Sequence, residues 1–455
     1  PPLAPTEAPE GRLCLVVQEA IFSPISNRVM RLTTDLQADD YEVLVYRFEA
    51  GTATELRNYL IGLYNEASSL KGAILVGNLP YIVYEMQQDW GGGVEYEDFV
   101  CDMYYMDMNG TWQDTRTSSP FGAGKYDTWT GDTNLEIWVS RMRTDNLTSI
   151  GNATNLLNYY LDKEHGYRTR SWHGTAKALV YDDDDWSNMA DSDRNYIGGI
   201  YGLSSVAMVN SANGTTAADY KGNRLPLNYE LVSIRSHGYP GGHGYYENNK
   251  QSFQYVFPTD YRTIRPDSLF YSLFVCSGCD YSSSDSLAGI LAFNTNWSGL
   301  LSWGSTKTGG MWNEYNFYAT LTNRQCFGES FKTWFNSCRN SSIAPQWWYG
   351  MVLIGDASLK PSPYMTPPAI TNFTFTAVGL TNNVMLRWKN PTLCGAQTST
   401  VLIRYGTTDY PMTTTDGMLV YQGTNGWCDH TGLTPNQPYY YAIWLSNDGQ
   451  NFFEP

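Results

Sequence analysis

Residues 231–244 read LVSIRSHGYPGGHG, and residues 272–285 read SLFVCSGCDYSSSD. Each opens on a short apolar run of the kind a buried parallel strand carries, and each run ends at a residue able to do chemistry, His237 or Cys276. In an open parallel sheet the carboxyl ends of neighbouring strands face one crevice, so the two side chains are expected to meet there. A thiol needs a base or a positive field to become a nucleophilic thiolate near neutral pH. The chain has five histidines (165, 173, 237, 243 and 430), so the choice of base is narrow, and His237 stands in the right setting. The residues after His237 read as a Gly-rich turn, and Gly238 lets backbone N–H groups approach a reacting carbonyl as an oxyanion site.

The same pattern extends outward from these two runs. Upstream, RLCLVV (12–17), YEVLVYRF (41–48), KGAILVGN (71–78) and LEIWVSRM (135–142) read as strands, and AKALVYDDDD (176–185) as a strand running into an acidic loop. Helices are expected at SNRVMRLTTDLQ (26–37), ATELRNYLIGLYNEASS (53–69) and NATNLLNYYLDKEHGYR (152–168). Downstream, GLLSWGSTKTGG (299–310) and WYGMVLIGD (348–356) are strands around a helix at CFGESFKTWFNSC (326–338). Strand and helix in alternation argue for an α/β fold with a mostly parallel sheet. Leu79 to about Thr133 is rich in Tyr, Trp, Gly and Asp with little periodicity, and reads as a long insertion of the kind that is often functional. Within it DWGGG (89–93) is expected to be a loop over the crevice.

The organisation expected is a Pro-rich arm at 1–10, one large domain at 11–360 with a subdomain split near 165, and a small all-β module at 367–455 beyond the proline-rich SLKPSPYMTPPAIT (358–371). In that module short strands recur at ITNFTFTAVG, NVMLRWKNP, STVLIRYGTT, GMLVYQG and QPYYYAIWLSNDG. A formal net charge of −16 over 455 residues argues against nucleic acid and anionic membranes as partners. No run approaches the roughly 20 apolar residues of a membrane span. Charged residues make up only 16%, with 35 Tyr and 15 Trp, which suits an extracellular or cell-surface protein.

Eight cysteines allow disulfides there, with Cys326–Cys338 and Cys394–Cys428 the expected pairs. Glycosylation sequons stand at Asn109, Asn146, Asn152, Asn213, Asn296, Asn340 and Asn372. Asp107, Asn109 and Asp114, in DMYYMDMNGTWQD, have the look of a Ca²⁺ loop. Asp182 and Asp184, in the run Asp182 to Asp185, form a second candidate, with a solvated acidic turn as its alternative.

Taken in order, these segments resemble a known family. GAILVGNLP, DFVCDMYYMDMNGTW, LEIWVSRMRTDN, SIRSHGYP, FVCSGCDY, GLLSWGSTKTGG, FGESFKTWF and YGMVLIGDASLK are similar to successive motifs of the gingipain-type (C25) cysteine peptidases, which have the clan CD caspase-like fold. LRWKNP, VLIRYGT and GLTPNQPYYYAIW resemble a fibronectin type III module, with the 434–438 run at its tyrosine-corner region. The first resemblance implies a protein or peptide substrate, Cys276 as nucleophile, His237 as general base and acid, and the N–H groups of Gly238 and Cys276 as oxyanion hole. It also implies structural Ca²⁺ and no cofactor for the chemistry. Asp102 falls where the family carries the pocket acid for a basic side chain, implying cleavage after Arg or Lys, although a structural or Ca²⁺-binding role fits it equally. Glu85, Glu95 and Glu97 are the candidates for orienting His237.

Cys279 departs from that pattern. At C-x-x-C spacing it could close a disulfide with Cys276 and silence it, or join Cys276, His237 and His243 in a zinc set. Two functions therefore stand side by side: a secreted cysteine endopeptidase, and an inactive structural or adhesive extracellular protein on a peptidase-like scaffold, self-assembling or attached to a surface.

Overall fold

The computed structural model describes residues 11–66, 70–169, 174–211, 213–362, 375–379, 382–388 and 400–446. The Pro-rich arm, most of the proline-rich linker, His173, Asn372 and Cys394 lie outside them. The chain divides into two compact units, Pro1–His165 with Gly174–Met365, and Gly166–His173 with Thr366–Pro455.

A ten-stranded sheet organises the first unit. From edge to edge its strands are Val206–Val209, Ala178–Asp182, Leu231–Arg235, Phe270–Phe274, Leu301–Ser305, Met351–Gly355, Trp138–Met142, Leu70–Val76, Gly11–Gln18 and Tyr41–Phe48. Residues on both sides of 165 thus feed one sheet. Pairing is mostly parallel, and Met351–Gly355 runs antiparallel to Leu301–Ser305. The central strands are buried along their whole length, as near-continuous apolar runs require when helices cover both faces. Helix Ala53–Tyr64 starts at a reciprocal cap between Thr52 and Glu55 and buries Leu56, Leu60 and Leu63. Gly72 and Gly328 leave room for the indole of Trp138, so the helix Phe327–Cys338 lies close on the sheet.

Three expectations need correction. The 79–133 insertion is not irregular throughout: Val83–Asp89 pairs with Val94–Val100 and Thr111–Gln113 with Thr128–Thr130, each antiparallel. The DWGGG segment makes the tip of the first of these hairpins. The Gly-rich stretch after His237 is not only a turn: His237–Tyr239, Gly242–Glu247 and Ser252–Val256 form a three-stranded antiparallel sheet. Cys326 and Cys338 are both free, standing at the N-cap and the last residue of one helix. Twelve residues at about 1.5 Å rise separate them by about 18 Å, far beyond disulfide reach.

The second unit holds two three-stranded antiparallel sheets, ordered Phe375–Gly379, Asn383–Trp388, Trp427–Thr431 and Met418–Gly423, Thr400–Gly406, Tyr440–Ser446. Leu386, Trp388, Val401, Ile403 and Leu445 make its core. Among the described residues no helix is long and apolar enough to cross a membrane.

Candidate active site

Strands Leu231–Arg235 and Phe270–Phe274 are parallel neighbours, with Arg235 opposite Phe274. The Ser236 N–H donates to the Phe274 carbonyl at 3.1 Å, which carries the register one step further. His237 and Cys276 each stand two residues past this last matched pair, so the register delivers both to the same edge. Ser277 then takes a left-handed φ of +55°, and its N–H donates to the Lys307 carbonyl at 2.8 Å. The strand thus ends in a sharp turn directly after Cys276.

The imidazole of His237 is more than a third exposed. Its Nε2 lies 2.7 Å from Asp185 Oδ2, and its ring packs on Trp186 at 4.7 Å and Tyr246 at 5.2 Å between centroids. Asp185 also pairs with Lys250. Its carboxyl is held below the usual range: burial opposes this, and the bonds from Lys250 and His237 outweigh it. Glu85, Glu95 and Glu97 are not the partner. Glu85 accepts from Tyr96 and Gly122, Glu95 is exposed on its hairpin, and Glu97 pairs with Lys307 at 3.0 Å. Gly238 is obligatory, since a Cβ there would collide with Val275 and the Gly242 carbonyl.

Cys276 is partly buried, and burial raises its thiol pKa. The Gly309 N–H and the Lys307 ammonium act the other way, while Glu97 adds to the rise. Cys279 is free and fully buried, against Gly304 in the core, so the Cys276–Cys279 disulfide is not formed, and among the described residues Cys276, Cys279, His237 and His243 do not gather within metal-ligating distance of one another. His243 faces Tyr261 at 2.8 Å and Ser236 at 3.2 Å.

Asp102 does not wait for a basic substrate. It is 1% exposed and grips Arg141, also 1% exposed, through Nε at 2.7 Å and Nη2 at 2.7 Å, and accepts from Tyr281 at 2.8 Å. The acidic candidates also separate. Asp107 lies with Asp132 and Glu136, and Asp114 with Glu85 and Asp127. Asn109 donates to Glu136 and so borders the first trio. Both trios are all-oxygen sets suited to Ca²⁺, but Asp107 already accepts from Asn109, Gly110, Trp112 and Trp129. Asp182 and Asp184 join neither trio; Asp182 is buried 3.8 Å from Arg235. Among the sequons Asn146 donates its amide to the Tyr281 and Ser283 carbonyls, whereas Asn109, Asn152, Asn213, Asn296 and Asn340 are exposed.

The sequence profile of peptidase family C25 matches residues 33–362. No curated protein sequence matches the chain. Among solved structures it is similar to the Arg-specific cysteine proteinase gingipain R, at 14% identity and TM-score 0.54, covering 98% of this chain and 96% of that one. It is also similar to the complex of RgpB pro- and mature domains from Porphyromonas gingivalis, at 13% identity and TM-score 0.53, covering 98% and 100%. A third structure, described as a protease, has 11% identity and TM-score 0.53, covering 98% and 97%. At these identities the likeness is one of fold.

Proposed function

The chain belongs to peptidase family C25, and from that premise we propose that it is an extracellular or cell-surface cysteine endopeptidase working through Cys276 and His237. The observation that carries this is the shared register, which brings a free thiol and an Asp185-held imidazole to one strand edge. Cys276 gives its proton to His237 and its sulfur attacks the scissile carbonyl. The N–H groups of Gly238 and Cys276 steady the oxyanion. The imidazolium then protonates the leaving amine, leaving a thioester. Water, deprotonated by His237, hydrolyses the thioester and returns the thiol.

Arg specificity is printed for gingipain R. A preference for basic residues read by Asp102 does not carry over, because that carboxylate is spent on Arg141. Structural Ca²⁺ would find its donors at the Asp114 or the Asp107 trio. The second unit is read as a fibronectin type III-like spacer, on its two antiparallel sheets. The inactive-scaffold alternative keeps its footing in the low charge, the sequons and the appended module, while the free Cys276 and Cys279 favour the peptidase reading.

Hydrolysis of a mixed fluorogenic peptide library by the full chain tests the reading. Activity is expected to vanish in Cys276→Ser and His237→Ala. Activity that survives Cys276→Ser would refute it.

A further inference from the structure

Directly behind the Cys276–His237 edge lies a charge cage that the peptidase chemistry does not use. Arg235, the residue that ends its strand, is 2% exposed. Its Nε lies 2.6 Å from Asp193 Oδ2, and its Nη2 lies 3.0 Å from Asp193 Oδ1 and 2.5 Å from Glu314 Oε1. Asp182 stands 3.8 Å away, fully buried, with neither carboxylate oxygen hydrogen-bonded. The guanidinium also lies over the rings of Phe274, at 4.9 Å, and Trp312, at 5.8 Å. Carboxylates together with aromatic faces are the chemistry that recognises a guanidinium, and here the occupant is the chain's own side chain. Burial pushes Glu314 up to about 7 and raises Asp182 as well.

Next to this cage lies an aromatic array built around Phe274, two residues before Cys276. Phe274 touches Trp186 at 5.3 Å, Trp312 at 5.4 Å and Trp347 at 5.9 Å between centroids. Trp347 continues the array to Trp312 at 5.1 Å and Trp90 at 4.7 Å. One end of this wall is Trp186, on the His237 ring; the other is Trp347, packed against Gly309, whose amide faces the Cys276 sulfur. All four tryptophans are only partly buried. The other cation near Cys276, Lys307, is likewise matched, by Glu97.

We propose that Arg235 plugs, from within the chain, the acid-and-aromatic cage beside Cys276, leaving a tryptophan-lined subsite that takes a large apolar or aromatic side chain ahead of the scissile bond and rejects a basic one. This rests on the reading of the chain as a cysteine peptidase. The test is kcat/KM of the full chain on coumarin peptides that differ only in the residue before the bond: Phe, Tyr, Leu, Ala, Arg, Lys or Asp. Phe, Tyr or Leu is expected to exceed Arg and Lys by at least about tenfold. Trp347→Leu is expected to lower the Phe-to-Ala ratio several-fold, and Trp186→Leu serves the same purpose should that variant not fold. Turnover led by Arg or Lys overturns this inference and leaves the peptidase reading standing. No turnover of any peptide overturns both.

Discussion

Asp102 and Asp185 show how a single carboxylate takes its role from its neighbours. Asp102 is closed in a buried pair with Arg141, and removing one member of such a pair strands the other charge. Asp102→Asn is therefore expected to cost about 3–5 kcal/mol of stability, seen in urea unfolding, while the preference for the residue before the bond stays unchanged. A changed preference at wild-type stability would return Asp102 to the substrate pocket. Asp185 carries the opposite expectation. Its carboxylate fixes one imidazole nitrogen, so Asp185→Asn should lower kcat roughly a hundredfold or more with little change in KM or melting temperature. The placing of Cys276, His237 and Gly238 at neighbouring strand ends was legible because each follows an apolar run. Asp185 was not: four consecutive aspartates share one composition, and only the 3-10 turn Asp184–Trp186 decides which of them looks at His237.

Between residue and fold stands the three-stranded sheet that begins at His237. Its middle strand carries His243, fully buried between Ser236, Tyr261 and the rings of Tyr220 and Tyr245. Burial pushes His243 down to about 3. The unfolded chain therefore binds a proton that the folded chain refuses, and stability falls as pH drops from 6.5 towards 3. Between pH 7 and pH 5 the loss from this one group is about 2 kcal/mol. Denaturant titrations at the two pH values should show it, and His243→Gln should remove that part of the slope. An equal slope in the variant would mean His243 is not the group responsible. The sheet itself was hard to read because Gly and Pro at 238–244 imitate a turn, and its strands are short and aromatic. The central parallel strands were plain for a different reason, since burial on both faces leaves an unbroken apolar run.

For the molecule as a whole, the α/β class and the strand–helix order could be read directly, while the carboxylate pairing inside the 79–133 segment could not. There, residues distant in sequence, such as Glu85 with Asp127, meet only once the hairpins form. Two compact units with separate cores imply two cooperative transitions. Calorimetry of the full chain should resolve both, and Leu386→Ala should lower one midpoint alone. A single transition, or a shift of both midpoints, would contradict independent units.

The most direct test of the central claim is the alkylation rate of each thiol in the native, unreduced full chain with iodoacetamide, followed by peptide mapping. Cys338 and Cys428, partly buried like Cys276 and raised by burial to about 12 and about 11, serve as internal references. The account predicts that Cys276 is modified well ahead of both and that this lead disappears in His237→Ala. A Cys276 that reacts no faster than its references, or one whose rate ignores the loss of His237, would contradict it.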